Sequence, residues 1–367
     1  MLALTKHFRS TLILLLTTFM ISEAQVAPVT APIGGFKIDG YLERQGPEGD
    51  WVKGNPPFDA PGTFLFASGS GLLQIVDPWD FDGDDVFSRA GFNENPNTFK
   101  WIFKKARPAT DINNGLFFLT TDAYNNVWAI LSADRYKKGN TTTYIDFEFL
   151  QSPVLATLDP LSKNDQFYKS GGFISYGPHG GRTIGDVLLT LSFDKSGGTF
   201  LSVFTYVWKA DPNGGYSYHE AFAPGFGATN STTPVNVPYG AFGSTVYPTQ
   251  SFGEMALNMT AATGGATCLT KENTFRTIWI KSKTRSGNGF SYDDFLTPFQ
   301  LKVSNDYTLT ADVTFFDLVS AQLTAAVAPG DINDYNFHWS AIGASINDVI
   351  DPNVTGTLNN YDIYNPI

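Results

Sequence analysis

Two carboxylates two residues apart are the first feature of this chain that could do chemistry. Residues 142–151 read TTYIDFEFLQ and place Asp146 and Glu148 on either side of a phenylalanine, with Tyr144 just before them. On a β-strand, residues i and i+2 point to the same face, so these three side chains are expected to share one face. Such a face is typical of a glycosidase active site, of a metal site, or of the solvated side of a strand.

The segment resembles a strand of laminarinase-like β-glucanases, which reads Glu-Ile-Asp-Ile/Phe-Glu. In those enzymes the first Glu is the nucleophile, the Asp orients it and the last Glu is the acid/base, and retaining chemistry holds the two catalytic carboxyl groups about 5–5.5 Å apart. Asp146 and Glu148 match the second and third positions, but Tyr144 stands where the nucleophile belongs. We therefore expect a polar, ligand-binding groove lined by these three side chains, with the intervening apolar residues in the core, and keep glycan hydrolysis as the alternative.

An acidic segment suggests a structural Ca²⁺ site. Residues 77–87 read DPWDFDGDDVF, so Asp80, Asp82 and Asp84 alternate around Gly83. Ca²⁺ takes six to eight oxygen ligands, and carboxylates around a glycine turn can supply them. The spacing is not that of an EF-hand, because no Glu lies at the required distance. A solvated acidic turn is the other interpretation.

Two tryptophans are candidates for stacking on sugar rings. Trp51 and Trp79 lie in segments that read as loops, where an aromatic ring can form a platform for a glycan. Trp128 and Trp208 lie in apolar strand-like segments and are expected in the core. The sequence thus predicts that polysaccharide contacts come from Trp51 and Trp79.

The N-terminus has the pattern of a secretory signal peptide. Lys6 and Arg9 precede the apolar run STLILLLTTFMI, and Ser22 and Ala24 occupy the small-residue positions of a cleavage site. We expect residues 1–24 to be removed and the protein to be secreted or placed on the outer cell surface. No second hydrophobic stretch is long enough to span a membrane.

Charge and cysteine content narrow the classes of partner. The formal net charge of −11 argues against nucleic acid and anionic membranes as partners, and is compatible with cation binding or with solubility alone. Cys268 is the only cysteine, so it is either a buried free thiol or the donor of an intermolecular disulfide.

The pattern of the whole chain predicts an all-β protein. Aromatic residues make up 15% of it, and runs rich in aromatic and β-branched residues alternate with turn formers such as YNN, KSGG and PNGG. After an N-terminal arm over residues 25–35, residues 36–301 read as one large jelly-roll or concanavalin-like sandwich. Within it, TFLSVFTYVW is apolar on both faces, so we expect a central strand that is covered on both sides.

Residues 302–367 predict a second, partial module. Alternating strands and Trp339 resemble an immunoglobulin-like or PKD-like repeat, but only some of the strands of a full module are accounted for. An incomplete sandwich would expose an edge strand, so self-association through this module is expected.

Five segments carry a family resemblance. They are FKIDGYLERQGPEGDW, SADRYKKGNTTTYIDFEFLQ, GGRTIGDVLLTLSF, VPYGAFGSTVY and KTRSGNGFSYDDFLTPF. On these segments the chain is similar to the N-terminal β-sandwich of large, Bacteroidetes-type exported cell-surface proteins that carry PKD-like or immunoglobulin-like repeats. The resemblance implies an adhesin or envelope protein and assigns no catalytic residue.

These observations together favour a non-enzymatic structural or adhesive module of the cell surface, with polysaccharide as its expected ligand. The alternative from a different class is a laminarinase-like, glycan-active enzyme that uses Asp146 and Glu148.

Overall fold

The structure, a computed structural model, describes the greater part of residues 36–301 and four strands beyond them. The described residues are 28–29, 36–44, 46, 49–53, 73–77, 83–164, 167–264, 275–284 and 291–301, together with the backbone of 308–315, 320–328, 344–346 and 353–358. The predicted signal peptide lies outside them, as do Trp79, Asp80, Asp82, Cys268 and Trp339.

The chain divides into two compact units, Met1–Leu301 and Lys302–Ile367. The division falls where the sequence places the start of the second module. The strands of the first unit are, in chain order, β1 Pro28–Val29, β2 Leu73–Val76, β3 Asp85–Arg89, β4 Lys100–Phe103, β5 Asn114–Asp122, β6 Val127–Asp134, β7 Thr143–Leu150, β8 Val154–Leu158, β9 Lys163–Asn164, β10 Phe167–Tyr168, β11 Ser170–Ser175, β12 Val187–Phe193, β13 Phe200–Ala210, β14 Tyr216–Ala221, β15 Gly225–Thr229, β16 Val235–Ala241, β17 Ser244–Tyr247, β18 Phe252–Asn258, β19 Thr277–Lys283, β20 Asp294–Phe295 and β21 Phe299–Gln300.

Helix is scarce in the described residues. It amounts to the single turn α1, Met259–Ala262, and two 3₁₀ turns, Pro96–Thr98 and Pro160–Ser162. None of the described helices is long and apolar enough to cross a membrane. The all-β prediction is confirmed.

Seventeen of the described strands join in one sheet, whose ladders are antiparallel apart from β1 with β5. One half contains β5, β6, β18 and β15, and the other contains β12, β7 and β19. Strand β13 belongs to both halves, because it pairs with β15 at its first residues and with β12 along most of its length. The two halves face each other around the main hydrophobic core, as the ring contact of Phe117 with Phe149 at 5.7 Å illustrates.

A second core fills the far side of β7, β12 and β19. The sheet continues from β19 through β20, β3, β4 and β11 to β8 and curls back over that side. As a result, Phe87 of β3 and Phe173 of β11 contact Trp279 of β19 at ring distances of 5.8 and 4.7 Å. The central strands are therefore covered on both faces, which is what buries the polar face of β7.

A third core covers the outer face of β5, β6 and β18. Phe36 and Trp51 pack there together with the hairpin of β16 and β17. Strand β6 consequently lies between two cores and is buried at all eight positions. Strand β13, which the sequence marks as covered on both sides, is central in the pairing but keeps one side partly open, with Phe200 87% exposed.

The second unit contains a four-stranded antiparallel sheet. Its strands are β22 Thr308–Phe315, β23 Ser320–Ala328, β24 Ala344–Ile346 and β25 Asn353–Leu358, in the order β22-β23-β25-β24. Among the described strands, β22 and β24 are the edges of this sheet. Self-association through such an edge stays a prediction.

Candidate functional site

Strand β7 lies between β12 and β19, and its side chains alternate as the sequence predicts. Ile145, Phe147 and Phe149 face the main core, whereas Asp146 and Glu148 lie on the opposite face. That face is not a groove. Both carboxylates are fully buried, so the expectation of a solvent-facing groove along β7 is wrong. The physical reason is the covering layer of β3, β4 and β11, which comes from chain segments remote from β7.

Glu148 is held by three donors. The guanidinium of Arg182 donates from Nε to Oε1 at 2.6 Å, the Tyr218 hydroxyl donates to the same oxygen at 2.6 Å, and the Lys281 ammonium pairs with Oε2. Burial alone would raise the pKa of Glu148, but Arg182 and Lys281 outweigh it and lower that pKa to about 2. Glu148 is therefore an ionised carboxylate with both oxygens occupied.

Asp146 has its own set of partners. Lys283 forms an ion pair with Oδ2, and the Tyr292 hydroxyl donates to the same oxygen at 2.8 Å. The Thr190 hydroxyl donates to Oδ1 at 2.7 Å. Burial lowers the pKa of Lys283, and the charge of Asp146 opposes that change. Each carboxylate of β7 is thus neutralised by a lysine of β19.

Aromatic rings pack against the cations of this network. The Lys281 ammonium lies 4.4 Å from the Trp279 ring centre, and the Lys283 ammonium lies 4.5 Å from that of Phe92. The Arg182 guanidinium lies 4.7 Å from the Trp208 ring centre. Cation–π contacts strengthen when the cation is desolvated, as all three are here. We call this set the buried charge network; it contains Asp146, Glu148, Arg182, Lys281, Lys283, Tyr218 and Tyr292.

The chemistry open to the buried charge network is limited. A retaining glycosidase needs a carboxylate nucleophile and a carboxylic acid that can release a proton to the substrate. Tyr144, at the nucleophile position, is a half-buried phenol that lies directly opposite Lys283 in the strand register. Glu148 is ionised and enclosed. The geometry fits a structural network of buried ion pairs and hydrogen bonds that joins β7, β19 and the loop carrying Arg182.

Trp51 is also fully buried, so the expectation that it stands exposed in a loop is wrong. Its indole Nε1 donates to Glu254 Oε2 at 2.9 Å, and its ring contacts Phe36 at 4.8 Å. Glu254 also accepts the backbone N–H groups of Asp39 and Gly40 at 2.6 Å each. The indole N–H thus satisfies one oxygen of a buried carboxyl group, while the ring packs in the third core. Trp128 and Trp208 are buried, as their strand positions predict.

A separate acidic cluster contains Asp84, the one described residue among the predicted calcium ligands Asp80, Asp82 and Asp84. Asp84, which precedes β3, lies beside Asp77 at the end of β2 and Asp294 at the start of β20. One carboxylate oxygen from each lies within 4.8 Å of the others, and Asp77 and Asp294 are buried. The donors are therefore the two ends of the acidic segment between β2 and β3, together with Asp294 of β20.

No protein-family model, no curated protein and no solved structure matches the chain. The family resemblance stays a prediction.

An open cleft lies where β13 passes from one half of the sheet to the other. Leu201 of β13 pairs with β15, and Thr205 pairs with β14, so β14 and β15 diverge between these positions. Two concave surfaces of about 420 and 650 Å³ flank the divergence and share Phe222 in their walls. Phe222 is 91% exposed, so its ring is open to solvent beside both concave surfaces.

The cleft carries both apolar and polar side chains. Phe226 is 55% exposed and stacks on Trp128 with ring centres 6.5 Å apart. Lys209 and Gln151 line the smaller concavity, and Glu220 lines the larger one. Aromatic rings beside hydrogen-bonding groups are the surface that a sugar chain requires.

Sequence reasoning assigned no chemical role to the lysines of β19 or to Asp294, although Lys283 and Asp294 belong to the family-like segment KTRSGNGFSYDDFLTPF. The segment TIWIKSK could have pointed to the former, because Lys281 and Lys283 are two residues apart on a strand, with the same spacing as the carboxylates of β7. Two strands with complementary charges at alternate positions are candidates for neighbours. For Asp294 no local signal exists, because its partners lie more than 200 residues earlier in the chain.

Proposed function

We propose that the chain is a non-enzymatic structural or adhesive module of an exported cell-surface protein, and that it binds polysaccharide in the cleft around Phe222. The observation that carries the proposal is the exposed Phe222 ring in the shared wall of two concave surfaces. An aromatic ring left in water next to hydrogen-bonding side chains is a natural stacking surface for the apolar face of a sugar.

The enclosure of Asp146 and Glu148 supports the non-enzymatic part of this proposal. A substrate would have to displace Lys281, Lys283 and Arg182 from carboxylates that those cations neutralise in the interior. Separating such buried pairs leaves uncompensated charges at a cost of several kcal/mol. The signal-peptide pattern of residues 1–24 supports the export part.

The test is affinity electrophoresis of the purified chain through gels that contain β-glucan, xylan, mannan or alginate, with release of reducing sugar measured on the same samples. We expect at least one polysaccharide to retard the chain without sugar release. Phe222→Ala should weaken that binding by roughly tenfold, since an aromatic contact contributes up to about 1.5 kcal/mol.

Tyr124→Ala is the matched control, because Tyr124 is 86% exposed but lines neither concave surface. It should be retarded like the unmodified chain. Absence of retardation on every gel would overturn polysaccharide as the ligand, and sugar release that disappears in Glu148→Gln would overturn the non-enzymatic function in favour of hydrolysis.

A further inference from the structure

Three carboxylates meet in the interior without a visible counter-charge. Asp77, Asp84 and Asp294 each contribute an oxygen to a cluster that spans no more than 4.8 Å. In the buried charge network every carboxylate has a lysine or arginine partner. By contrast, the salt bridges among the described residues join none of these three aspartates to a cation.

Asp294 provides an independent sign of a missing ligand. Its side chain is fully buried, and its Oδ2 accepts the backbone N–H of Ile112 at 2.8 Å. Its Oδ1 is buried and has no hydrogen-bond partner among the described residues. Buried polar atoms without partners are rare, and a buried carboxylate oxygen is the most costly kind to leave unpaired. A bound cation would provide the absent partner.

Further carboxylates surround the cluster. The charge of Asp84 acts on Asp85 and on Asp111, and the charge of Lys105 acts on Asp111 as well. Carboxylates gathered in this way attract a cation.

We propose that Asp77, Asp84 and Asp294 bind one divalent cation, Ca²⁺, which joins the ends of three strands. All three donors are oxygens, which are the ligands that Ca²⁺ prefers. All three oxygens lie within 4.8 Å of one another, so one ion can contact all of them. Ca²⁺ accepts six to eight oxygens in irregular geometry, whereas Mg²⁺ demands a near-ideal octahedron, so carboxylates drawn from separate parts of the fold favour Ca²⁺.

The position of the site gives the ion a mechanical role. Asp77 follows β2, which pairs with β5 in one half of the sheet. Asp84 precedes β3, and Asp294 is the first residue of β20. These two strands pair with each other, and β20 also pairs with β19 in the other half of the sheet. The ion therefore cross-links the two halves of the sandwich, independently of the cleft around Phe222.

The test combines direct binding with thermal unfolding of the full chain after it has been stripped with chelator. Titration calorimetry with CaCl₂ should give one equivalent bound, and Ca²⁺ should raise the Tm by several degrees, because an ion that binds only the folded state stabilises it. Mg²⁺ at the same concentration should raise the Tm by less than half as much. No bound Ca²⁺ and no shift in Tm would overturn the site, and an equal shift with Mg²⁺ would overturn the assignment to Ca²⁺.

Asp294→Asn distinguishes a ligand from a structural residue through the sign of its effect. It should weaken Ca²⁺ binding at least tenfold, and in chelator it should raise the Tm above that of the stripped wild type, because it removes repulsion from Asp77 and Asp84. Asp293→Asn is the control, since the neighbouring Asp293 pairs with Arg107 at 3.3 Å and should leave Ca²⁺ binding unchanged.

Asp77→Asn serves as the second variant and should behave like Asp294→Asn. A Tm in chelator that falls in both variants, with Ca²⁺ binding retained, would overturn the proposal.

Discussion

Lys283 forms its ion pair diagonally across two strands: its ammonium contacts Asp146, although the residue directly opposite it on β7 is Tyr144. Lys281 repeats the geometry, because it lies opposite Asp146 and pairs with Glu148. Diagonal neighbours in an antiparallel pair are within reach of long side chains. The two lysines therefore fix the register of β7 against β19, since a slip of one residue would turn both carboxylates into the main core.

Lys283→Met should destabilise the first unit strongly. The methionine keeps the length and apolar body of the side chain but leaves Asp146 buried without its cation. We expect the free energy of unfolding to fall by about 3–5 kcal/mol, measured by urea denaturation at pH 7. Lys209→Met, at an exposed position of β13, is the control and should change it by no more than about 0.5 kcal/mol.

The double variant Lys283→Met with Asp146→Leu should recover much of this loss, because it removes the unpaired charge together with its partner. If Lys283→Met alone lowered the free energy of unfolding by less than about 1 kcal/mol, the Lys283–Asp146 ion pair would not be what holds β7 and β19 together.

Acid should unfold the chain in part through Glu148. Its pKa is about 2 in the folded chain, where Arg182 and Lys281 outweigh the effect of burial, and about 4.3 when unfolded. The ionised form is favoured by folding, so its contribution is complete above pH 4.3 and is lost as the pH falls towards 2. The loss should amount to about 3 kcal/mol. Burial raises the pKa of Asp186 to about 7, above its ordinary value of about 3.9. Asp186 therefore lowers the free energy of unfolding as the pH rises above about 3.9, which is opposite to the effect of Glu148.

Tyr218→Phe tests this assignment, because it removes one of the donors to Glu148 and should raise the pKa of that carboxyl. The acid unfolding midpoint, followed by tryptophan fluorescence, should move to higher pH. Tyr176→Phe, at a partly exposed position, should leave the midpoint in place. An identical midpoint in all three proteins would contradict the role of Glu148.

Gly40→Ala should disrupt the packing around Trp51. Gly40 has φ = 83°, a conformation that L-residues avoid, and a Cβ there would lie 2.3 Å from the backbone of Thr229. Its N–H also donates to Glu254. We expect a loss of more than about 3 kcal/mol in the free energy of unfolding.

Gly214→Ala is the matched control, because Gly214 has a similar φ of 89° but open space around its Cβ position. Gly214→Ala should lower the free energy of unfolding by only about 1 kcal/mol, through backbone strain. Equal losses in the two variants would mean that the contact with Thr229 does not matter.

The local pattern of β7 was sufficient to predict which residues face the main core. Ile145, Phe147 and Phe149 lie there, because alternation along a strand is a property of the backbone and needs no knowledge of the neighbours. The same argument could not say what lies on the other side. Trp51 illustrates the same limit, since its burial depends on Glu254, which lies 203 residues later.

By itself, the sequence determined the all-β class, the two faces of β7 and the core positions of Trp128 and Trp208, since periodicity and residue type are local properties. Only the tertiary structure decided that the polar face of β7 is interior, that Lys281 and Lys283 neutralise it, and that Asp294 joins Asp77 and Asp84. The physical reason is that burial and charge pairing depend on which distant strands are brought together, and one strand's pattern is compatible with both water and a charged partner on its polar face.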